Sequence, residues 1–402
     1  MYVGIGYSEL PDTREAGRQA AREALSQGNA SRPCDLVLLF ATAPHDARTL
    51  RDTVREELGA SVPVVGGGAV GAICGDRFGY AGDQVVLAAL WLEETRCDVY
   101  TEGGLNEGEH AVGLRLGRQL AAAGVGRDDA VLLLYHAIDG TATDRVRLLM
   151  ATPLLEGLEE GLGFLPNLVG AGMQGDYACS RVMQWTGEEV TEHHAAALVF
   201  RGDIRLDSII MHGCRPATGY YTVTRAEGQT ILEINGQPAL PFMANLMQGA
   251  VLPEHFPFFL IFGVNKGQKW GAFDENSYAS RLCLGIDTER NGIVMFEPDM
   301  VAGTEFQIMY RSFELDYMVP RMEDVFSRLR GRKPVLALYI DCAGRAAGYG
   351  GVDMEDAVVV QNTIAGRAPL LGLYTGVEIA SVMGRPRGLD WTGVFCIFSI
   401  PE

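Results

Sequence analysis

The sequence predicts an α/β protein: a layered two-domain chain of repeated strand–helix–strand–turn–strand units in mixed sheets, with an antiparallel β-rich insert. Three observations support this fold class. A pattern of apolar strands around a Gly-rich turn recurs three times. The strands are apolar along their whole length, which is typical of strands covered on both faces. Residues 203–320 follow a different pattern of short strands and hairpin turns.

The three copies of the pattern share one order of elements. Each has a first apolar strand (35–40, 129–135 and 334–341), a second strand with its Gly-rich turn (62–73, 167–177 and 369–379) and a closing strand (84–91, 194–200 and 393–399). The third copy begins much further along the chain than the spacing of the first two would place it. We therefore expect another segment to be inserted between the second copy and the third.

Helices are predicted between these strands. Asp12–Glu15 has the arrangement of a capping box, which predicts a helix over residues 16–25 after the first strand of the chain. The helices that connect the first two strands of the three copies are predicted over residues 45–58, 143–162 and 354–364, and Pro153 is expected to break the second. Strand, helix and strand joined by short turns are typical of right-handed βαβ crossovers.

Residues 203–320 are expected to form antiparallel strands. The dipeptides Glu227-Gly228, Asn235-Gly236 and Asn291-Gly292 separate the strand-like runs of this segment. Dipeptides of this kind favour tight hairpins. A helix over residues 321–329 is predicted to lead back into the third copy.

The composition excludes several classes of protein. The chain has 402 residues, of which 48% are hydrophobic and 21% charged, as in a globular protein of about two domains. Its net charge of −18 disfavours nucleic acid and anionic membranes as partners. The first residues are typical of a strand rather than a signal peptide, and no apolar run could span a bilayer, so we expect a cytoplasmic protein. The eight cysteines form no CxxC pair, which predicts reduced thiols.

Several segments match a known family. These segments are His212–Pro216, Tyr221–Thr224, Ile231–Ala239, Arg281–Ile286 and Asp341–Arg345. Together they resemble the FIST family, in which a FIST N-terminal domain precedes a FIST C-terminal domain. The resemblance implies an N-terminal domain over residues 1–202 with two copies. It also implies a C-terminal domain over 203–402, with the antiparallel part over about 203–320 and the third copy over about 321–402.

The resemblance also implies a function. The family is regarded as a sensory module of signal transduction that binds small ligands, with amino acids proposed. Some members resemble haem proteins that sense nitric oxide and signal to histidine kinases or cyclic-di-nucleotide enzymes. The resemblance therefore implies an input protein that acts on a partner in trans, rather than an enzyme. The sequence does not identify the ligand, the cofactor or the oligomeric state, and a homo-oligomer is one of the states that stay open.

The third copy carries the strongest candidate for a ligand site. Asp341, Cys342 and Arg345 follow its first strand, at the end where α/β sheets place ligand groups. Arg345 could pair with a carboxylate and Asp341 with an ammonium, which would suit an amino acid or a similar small zwitterion. A salt bridge between the two is an equally good interpretation. Tyr374 and Glu378, in the adjacent turn, are expected to line the same crevice.

The Gly-rich turns of the other copies are weaker candidates. The family's turn carries an acid, and the corresponding residues here are Ala72, Asp176 and Glu378, so we place the function on the third copy and keep Asp176 as a candidate. Backbone N–H groups around Gly68 could approach an anion. The spacing of these glycines is not that of a nucleotide-binding loop, and tight packing is the commoner reason for them.

Cys342 and three histidines carry the alternatives. A thiolate nucleophile at Cys342 would make the protein an enzyme and would need a histidine base nearby. The other interpretation of Cys342 is a buried structural thiol, which needs no base. If haem is bound, the candidates for its axial ligand are His136, His193 and His212, although no haem-attachment motif is present. We expect a small-ligand sensor without catalytic activity, and haem binding is the first alternative.

Overall fold

A computed structural model describes residues 1–29, 31–140, 147–180, 182–312 and 314–402. It confirms the α/β fold class with mixed sheets and an antiparallel insert. Each copy is longer than the sequence pattern indicated, because a strand and a helix precede the first predicted strand. Copy one spans residues 2–91, copy two 96–201 and copy three 205–401.

The three copies repeat the order βαβαββββ. Copy one consists of β1 (Tyr2–Ser8), α1 (Thr13–Gln27), β2 (Leu36–Ala41), α2 (Ala47–Leu58), β3 (Val64–Gly68), β4 (Gly71–Cys74), β5 (Arg77–Tyr80) and β6 (Val85–Trp91). Copy two consists of β7 (Arg96–Gly103), α3 (Glu109–Ala122), β8 (Ala130–His136), the short pair β9 (Ile138–Asp139) and β10 (Arg147–Leu148), α4 (Ala151–Leu162), β11 (Asn167–Met173), β12 (Gln184–Gly187), β13 (Val190–Thr191) and β14 (His194–Arg201).

The insert lies inside copy three and not before it. The first strand of this copy, β15 (Arg205–Met211), precedes the insert, whose elements are β16 (Cys214–Pro216), β17 (Tyr221–Glu227), β18 (Thr230–Ile234), β19 (Gln237–Pro238), α5 (Ala239–Leu246), β20 (Ile261–Asn265), β21 (Tyr278–Asp287), β22 (Gly292–Met295) and β23 (Glu305–Arg311). Copy three then continues with α6 (Met318–Ser327), β24 (Arg332–Cys342), α7 (Ala347–Gly350), α8 (Asp356–Ile364), β25 (Leu370–Thr375), β26 (Val377–Val382), β27 (Arg385–Leu389) and β28 (Gly393–Pro401).

The insert closes into a barrel. Its strands follow the order β23-β17-β18-β22-β21-β20, and β20 also pairs with β23, which completes the ring. All these pairings are antiparallel, as the hairpin dipeptides predicted. Apolar side chains such as Phe262 and Phe306 fill the interior, with their ring centres 4.3 Å apart.

The copies exchange hairpins. The β4–β5 hairpin of copy one pairs with β25 of copy three, the β12–β13 hairpin of copy two pairs with β3 of copy one, and the β26–β27 hairpin of copy three pairs with β11 of copy two. Three six-stranded sheets are thereby joined in a ring. The predicted boundary after residue 202 falls between β14 and β15. Because sheets on each side of it take strands from the other side, its role as a division into separate folding units stays a prediction.

The main core lies between the three sheets. Their inner faces contribute fully buried side chains such as Phe40, Leu134 and Ile340 to one apolar cluster. Helices cover the outer faces: α1 and α2 on the sheet of copy one, α3 and α4 on that of copy two, and α6 and α8 on that of copy three. Strands covered on both faces explain the continuous apolar runs of the sequence.

The second helix of copy two, α4, differs from its prediction over residues 143–162. Residues 141–146 lie outside the described residues, Arg147–Leu148 forms a strand, and α4 begins only at Ala151. Pro153 therefore lies in the first turn of α4, where its missing N–H would have had no partner within the helix. The expected break at Pro153 was wrong, because the proline starts this helix instead of interrupting it.

The helices of copy two pack through glycines, which gives a testable prediction. A Cβ atom on Gly157 of α4 would lie 2.0 Å from the carbonyl oxygen of His110 in α3. The Gly157→Ala substitution should therefore lower the free energy of unfolding by about 1–3 kcal/mol, since the helices must move apart. Gly219→Ala is the matched control, because a Cβ there meets open space. Equal urea midpoints for the two variants would contradict the close approach.

Candidate functional site

A cavity of about 240 Å³ lies where copy two, copy three and the barrel meet. On one side it is bounded by residues that follow β8, β24 and β25, which is the end of the strands where α/β sheets place ligands. On the other side it is bounded by β21 and by the segments around Phe258 and Phe296 of the barrel. A molecule in this cavity would contact all three parts of the protein.

Aromatic rings form much of the cavity wall. Tyr177 and Tyr349 stack with their ring centres 4.9 Å apart, and Phe258 and Phe296 meet edge to face at 5.8 Å. Trp391 also lines the cavity. A mainly apolar wall with a few polar groups is typical of sites for small molecules.

Asp390 and Trp391 line the cavity and carry two buried polar atoms. Trp391 has a left-handed backbone with φ +55°, which turns the chain into β28. One oxygen of Asp390, Oδ2, accepts the N–H of Leu282 in the barrel at 3.0 Å. Neither Asp390 Oδ1 nor Trp391 Nε1 has a hydrogen-bond partner among the described residues, although both atoms are buried. Buried polar atoms usually have a partner.

Two carboxyl groups dominate the electrostatics of the cavity. Burial raises the pKa of Asp390 to about 7. The positive charge of Arg281 lowers this pKa, whereas the nearby carboxyl group of Glu297 raises it further. Burial also raises the pKa of Glu297, which accepts the N–H groups of Ala151 and Thr152 at 3.0 and 2.9 Å. Glu297 belongs to the barrel, so it caps the amino terminus of α4 across the junction.

Asp341 and Arg345 form a buried ion pair, and the salt-bridge interpretation describes them. Arg345 Nε donates to Asp341 at 3.1 Å. Its remaining N–H groups donate to Asp356, to the hydroxyl of Tyr317 and to the carbonyls of His212 and Trp391. All five donors are thus in use, and neither residue is among those that line the cavity. In this arrangement no donor of Arg345 is left for the ligand carboxylate that the sequence suggested.

Tyr374 and Glu378 lie behind the cavity and do not line it. The hydroxyl of Tyr374 donates to Glu355 at 2.9 Å. Glu378 Oε2 accepts the N–H of Thr392 at 3.3 Å, whereas its Oε1 has no partner among the described residues. Burial raises the pKa of Glu378, and the nearby carboxyl of Asp341 raises it further. Glu378 is therefore a buried neutral acid one layer away from the cavity.

The strand registers correct the assignment of Asp176. Glu378 pairs with Ala171, Ala72 pairs with Leu373 and Gln184 pairs with Gly67, three equivalent positions of the exchanged hairpins. Gln184, and not Asp176, is thus the counterpart of Glu378 in copy two. Asp176 lies in the loop between β11 and β12, where its carboxylate accepts the N–H of Ser180 at 2.9 Å. Because of this loop, the β12–β13 hairpin begins later in the sequence of copy two than the corresponding hairpins of the other copies begin in theirs.

Gly68 has a packing role and lies away from the cavity. Its N–H donates to the carbonyl of Met183 at 3.0 Å, so it is not free to bind an anion. A Cβ atom at this position would lie 3.1 Å from Val182 and 3.3 Å from Gly175. The glycine therefore lets the loop after β11 lie close against β3.

Cys342 lines the cavity, but as a neutral thiol. Burial raises its pKa, and so does the carboxyl of Glu378, although the N–H groups of Gly344 and Trp391 bond to the sulfur and lower it. A thiolate is the form that attacks electrophiles. Among the described residues, no histidine lines the cavity beside Cys342.

The three histidines do not fit an iron-binding role at the cavity. None of them lines it. Nδ1 of His136 accepts the backbone N–H of His193, and Nδ1 of His212 accepts that of Cys214 at 2.9 Å. Burial lowers the pKa of His136 to about 3 and also lowers that of His212, so both rings are neutral with the proton on Nε2. Nε2 of His193 lies 3.3 Å from Asp139.

Sequence reasoning missed the polar residues of the cavity. Asp390 and Trp391 were not candidates, because they stand in a turn without a recognised motif. One signal was available: the turn directly precedes the closing strand of copy three and is at the same end of the sheet as Cys342. Among the described residues, no cluster of three or more His, Cys, Asp or Glu side chains could hold a metal ion.

The fold and the site define a class of protein: an α/β chain of three repeated units with exchanged hairpins, an inserted barrel and a cavity where these parts meet. The chain belongs to the FIST family. The model of the FIST N domain matches residues 35–237, and that of the FIST C domain matches residues 239–381, which confirms the resemblance drawn from the sequence. FIST domains are associated with sensory signal transduction and with the binding of small ligands.

Similar proteins extend over the whole chain. An uncharacterised protein of Mycobacterium bovis is 26% identical over 415 residues, which cover 99% of each chain. An uncharacterised protein of Mycobacterium tuberculosis is 25% identical over 409 residues, which cover 99% of this chain and 100% of that one. The solved structure of a cyanuric acid hydrolase from A. caulinodans aligns with a TM-score of 0.41 and 9% identity, over 100% of this chain and 99% of that one. In the described ranges, no helix is both long and apolar enough to cross a membrane.

Proposed function

We propose that this protein is a sensor of intracellular signal transduction and that its small ligand occupies the cavity between copy two, copy three and the barrel. The observation that carries the proposal is that two residues lining the cavity, Asp390 and Trp391, each hold a buried polar atom, Oδ1 and Nε1, without a hydrogen-bond partner among the described residues. A ligand with a donor would satisfy Asp390 Oδ1, and one that also has an acceptor would satisfy both atoms.

The size of the cavity limits the ligand. An apolar cavity of about 150 Å³ is known to hold benzene, so a volume of about 240 Å³ accommodates roughly ten non-hydrogen atoms. A single amino acid or another small metabolite is within this limit. The apolar wall favours a ligand with an apolar body and a compact polar head.

The position of the cavity supports a sensory role. The barrel contacts copy three where Arg281 donates to the carbonyl of Gly388 at 3.0 Å and Leu282 donates to Asp390, and it contacts copy two through Glu297. A ligand between these parts binds with an affinity that depends on how the barrel is placed. Binding would therefore shift that placement and alter the activity of a partner in trans, for which the family suggests a histidine kinase or a cyclic-di-nucleotide enzyme.

A thermal-shift screen with the purified protein tests the proposal. The panel holds small cations, anions, zwitterions and neutral molecules. At about 100 times its dissociation constant, a ligand adds roughly 2.7 kcal/mol of stability. We expect at least one compound to stabilise the wild type and to lose this effect in Leu284→Trp, where the larger side chain fills the cavity from its half-exposed barrel wall.

The control is Leu252→Trp, at an exposed position of the barrel outside the cavity lining. It should keep the full ligand effect. If Leu284→Trp retains the stabilisation by the ligand, the cavity is not the binding site. If no compound of the panel stabilises the wild type, the proposed function itself is contradicted.

A further inference from the structure

The ionisable groups at the cavity wall are of one sign. Glu297 and Asp390 line the cavity, together with the neutral thiols of Cys179 and Cys342, and among the described lining residues there is no lysine, arginine or histidine. A carboxylate in this cavity would lie against two carboxyl groups, and no cation is among the described residues that line it. Burying an unpaired charge of that kind is strongly unfavourable.

Three arginines of the described surroundings are engaged elsewhere. Arg281 is fully buried and holds Asp299 with two hydrogen bonds of 2.6 Å. The five donors of Arg345 are all used inside copy three. Arg311 lies with its guanidinium carbon 4.8 Å from the ring centre of Trp391 and is outside the lining. None of these guanidinium groups is positioned to receive a ligand carboxylate inside the cavity.

The apolar part of the wall is aromatic. Five rings line the cavity: Tyr177, Phe258, Phe296, Tyr349 and Trp391. The faces of aromatic rings carry negative potential and attract ammonium groups, and this attraction increases when water is excluded. Such rings beside a buried carboxyl group form an arrangement that suits an organic cation.

Asp390 supplies a specific contact for the cation. Its Oδ2 is used by the N–H of Leu282, and its Oδ1 is buried without a partner among the described residues. An ammonium group has N–H donors and a positive charge, so it satisfies this oxygen and stabilises the ionised form of the carboxyl group. A carboxylate ligand has no donor to offer to it.

We propose that the cavity selects an organic cation, with an ammonium group against Asp390 and an apolar body of fewer than roughly ten non-hydrogen atoms against the aromatic rings. This inference rests on the proposed function, since it names the class of ligand for the same cavity. It replaces the zwitterion that the Asp341 and Arg345 pair suggested. An amino acid binds poorly, because its carboxylate would face Glu297 or Asp390.

The test is an isosteric series measured by thermal shift and calorimetry. The compounds 3-methylbutylamine, 3-methylbutan-1-ol and 3-methylbutanoate share one five-carbon skeleton and differ in charge, and leucine is the same amine with a carboxylate added at C1. Benzylamine and methylamine extend the cationic set in size. We expect the best cation to bind at least about tenfold tighter than the alcohol and than leucine, with no stabilisation by the carboxylate.

The series distinguishes the inference from the proposed function. Preferential binding of the carboxylate, leucine or the alcohol would overturn the inference and leave the cavity as the site of a sensor. Absence of binding by every cation would also overturn it. If no compound of any charge binds, here or in the wider panel, both the inference and the proposed function fail.

The Asp390→Asn variant tests the contact itself. Its amide oxygen can still accept the N–H of Leu282, so the barrel contact is kept, but the negative charge is removed. The affinity for the amine should fall about tenfold while that for the alcohol stays within about twofold. Glu289→Gln, at an exposed position of the barrel, is the control with the same change of charge. An unchanged preference for the amine in Asp390→Asn would overturn the inference, and the wild-type ranking decides the matter if this variant does not fold.

Discussion

Replacing Arg345 with methionine is expected to lower the free energy of unfolding by about 3–5 kcal/mol. The guanidinium group lies between the carboxyl groups of Asp341 and Asp356, which are 0% and 1% exposed. Its removal leaves buried acids without their cation, and the carbonyls of His212 and Trp391 lose a donor. Equilibrium unfolding in urea, followed by circular dichroism, measures the loss.

Arg367→Met is the matched control for this prediction. Arg367 also pairs with a carboxylate, that of Glu323, but the two side chains are 37% and 48% exposed. Exposed ion pairs contribute about 0–1 kcal/mol, so the control should lose little. If Arg345→Met loses no more than Arg367→Met, Arg345 does not hold a buried cluster. Combining Arg345→Met with Asp356→Leu should recover part of the loss, because it removes one of the unpaired acids.

The same variant decides between the two interpretations that the sequence left open. If Arg345 bound the ligand directly, Arg345→Met would lose the stabilisation by the ligand even at temperatures where the variant is folded. If Arg345 only holds the end of β24 in place, the ligand affinity should stay within about threefold. The complete use of its donors inside the protein predicts the second result.

Local signals in the sequence were sufficient for the fold class but not for the connections between the sheets. The apolar runs and the capping residue Asp12 predicted strands and a helix, because these signals act over a few residues; the side chain of Asp12 accepts the N–H of Glu15 at 2.9 Å, as expected. A Gly-rich turn shows where the chain reverses, but it does not show which sheet receives the following hairpin. The pairing of β4 with β25 joins opposite ends of the chain, so no local pattern could reveal it.

The cavity lies at the end of the sheet where the sequence predicted a ligand site, but Asp341 and Arg345 do not line it. Asp341 and Arg345 are four residues apart, and this spacing fits both a ligand clamp and an internal pair. The choice depended on Asp356, which no motif connects to them and which supplies the second carboxyl group. Asp390 and Trp391 became recognisable only through the contact of their turn with β21 of the barrel.

Asp390→Asn is expected to change the dependence of stability on pH. Burial raises the pKa of Asp390 from 3.8 to about 7 in the folded protein. Between about pH 4 and pH 7 the folded state therefore binds more protons at this group than the unfolded state does. Linkage then requires that the wild-type free energy of unfolding decreases as pH rises through this window, by about 1.4 kcal/mol per pH unit from this group. Asparagine does not titrate, so the variant lacks this decrease.

The difference between variant and wild type isolates Asp390 from its neighbours. Arg281, Glu297 and Asp299 of the barrel and Glu378 of β26 face Asp390, but their own titrations are largely common to both proteins. Measured by urea unfolding at pH 5 and pH 8, the variant should gain roughly 2–3 kcal/mol on the wild type at the higher pH. If the free energies of unfolding of the variant and the wild type differ by the same amount at pH 5 and pH 8, the pKa of Asp390 is not raised in the folded protein. A bound amine should recover stability in the wild type at pH 8 but not in the variant, because only an ionised carboxyl group needs the cation.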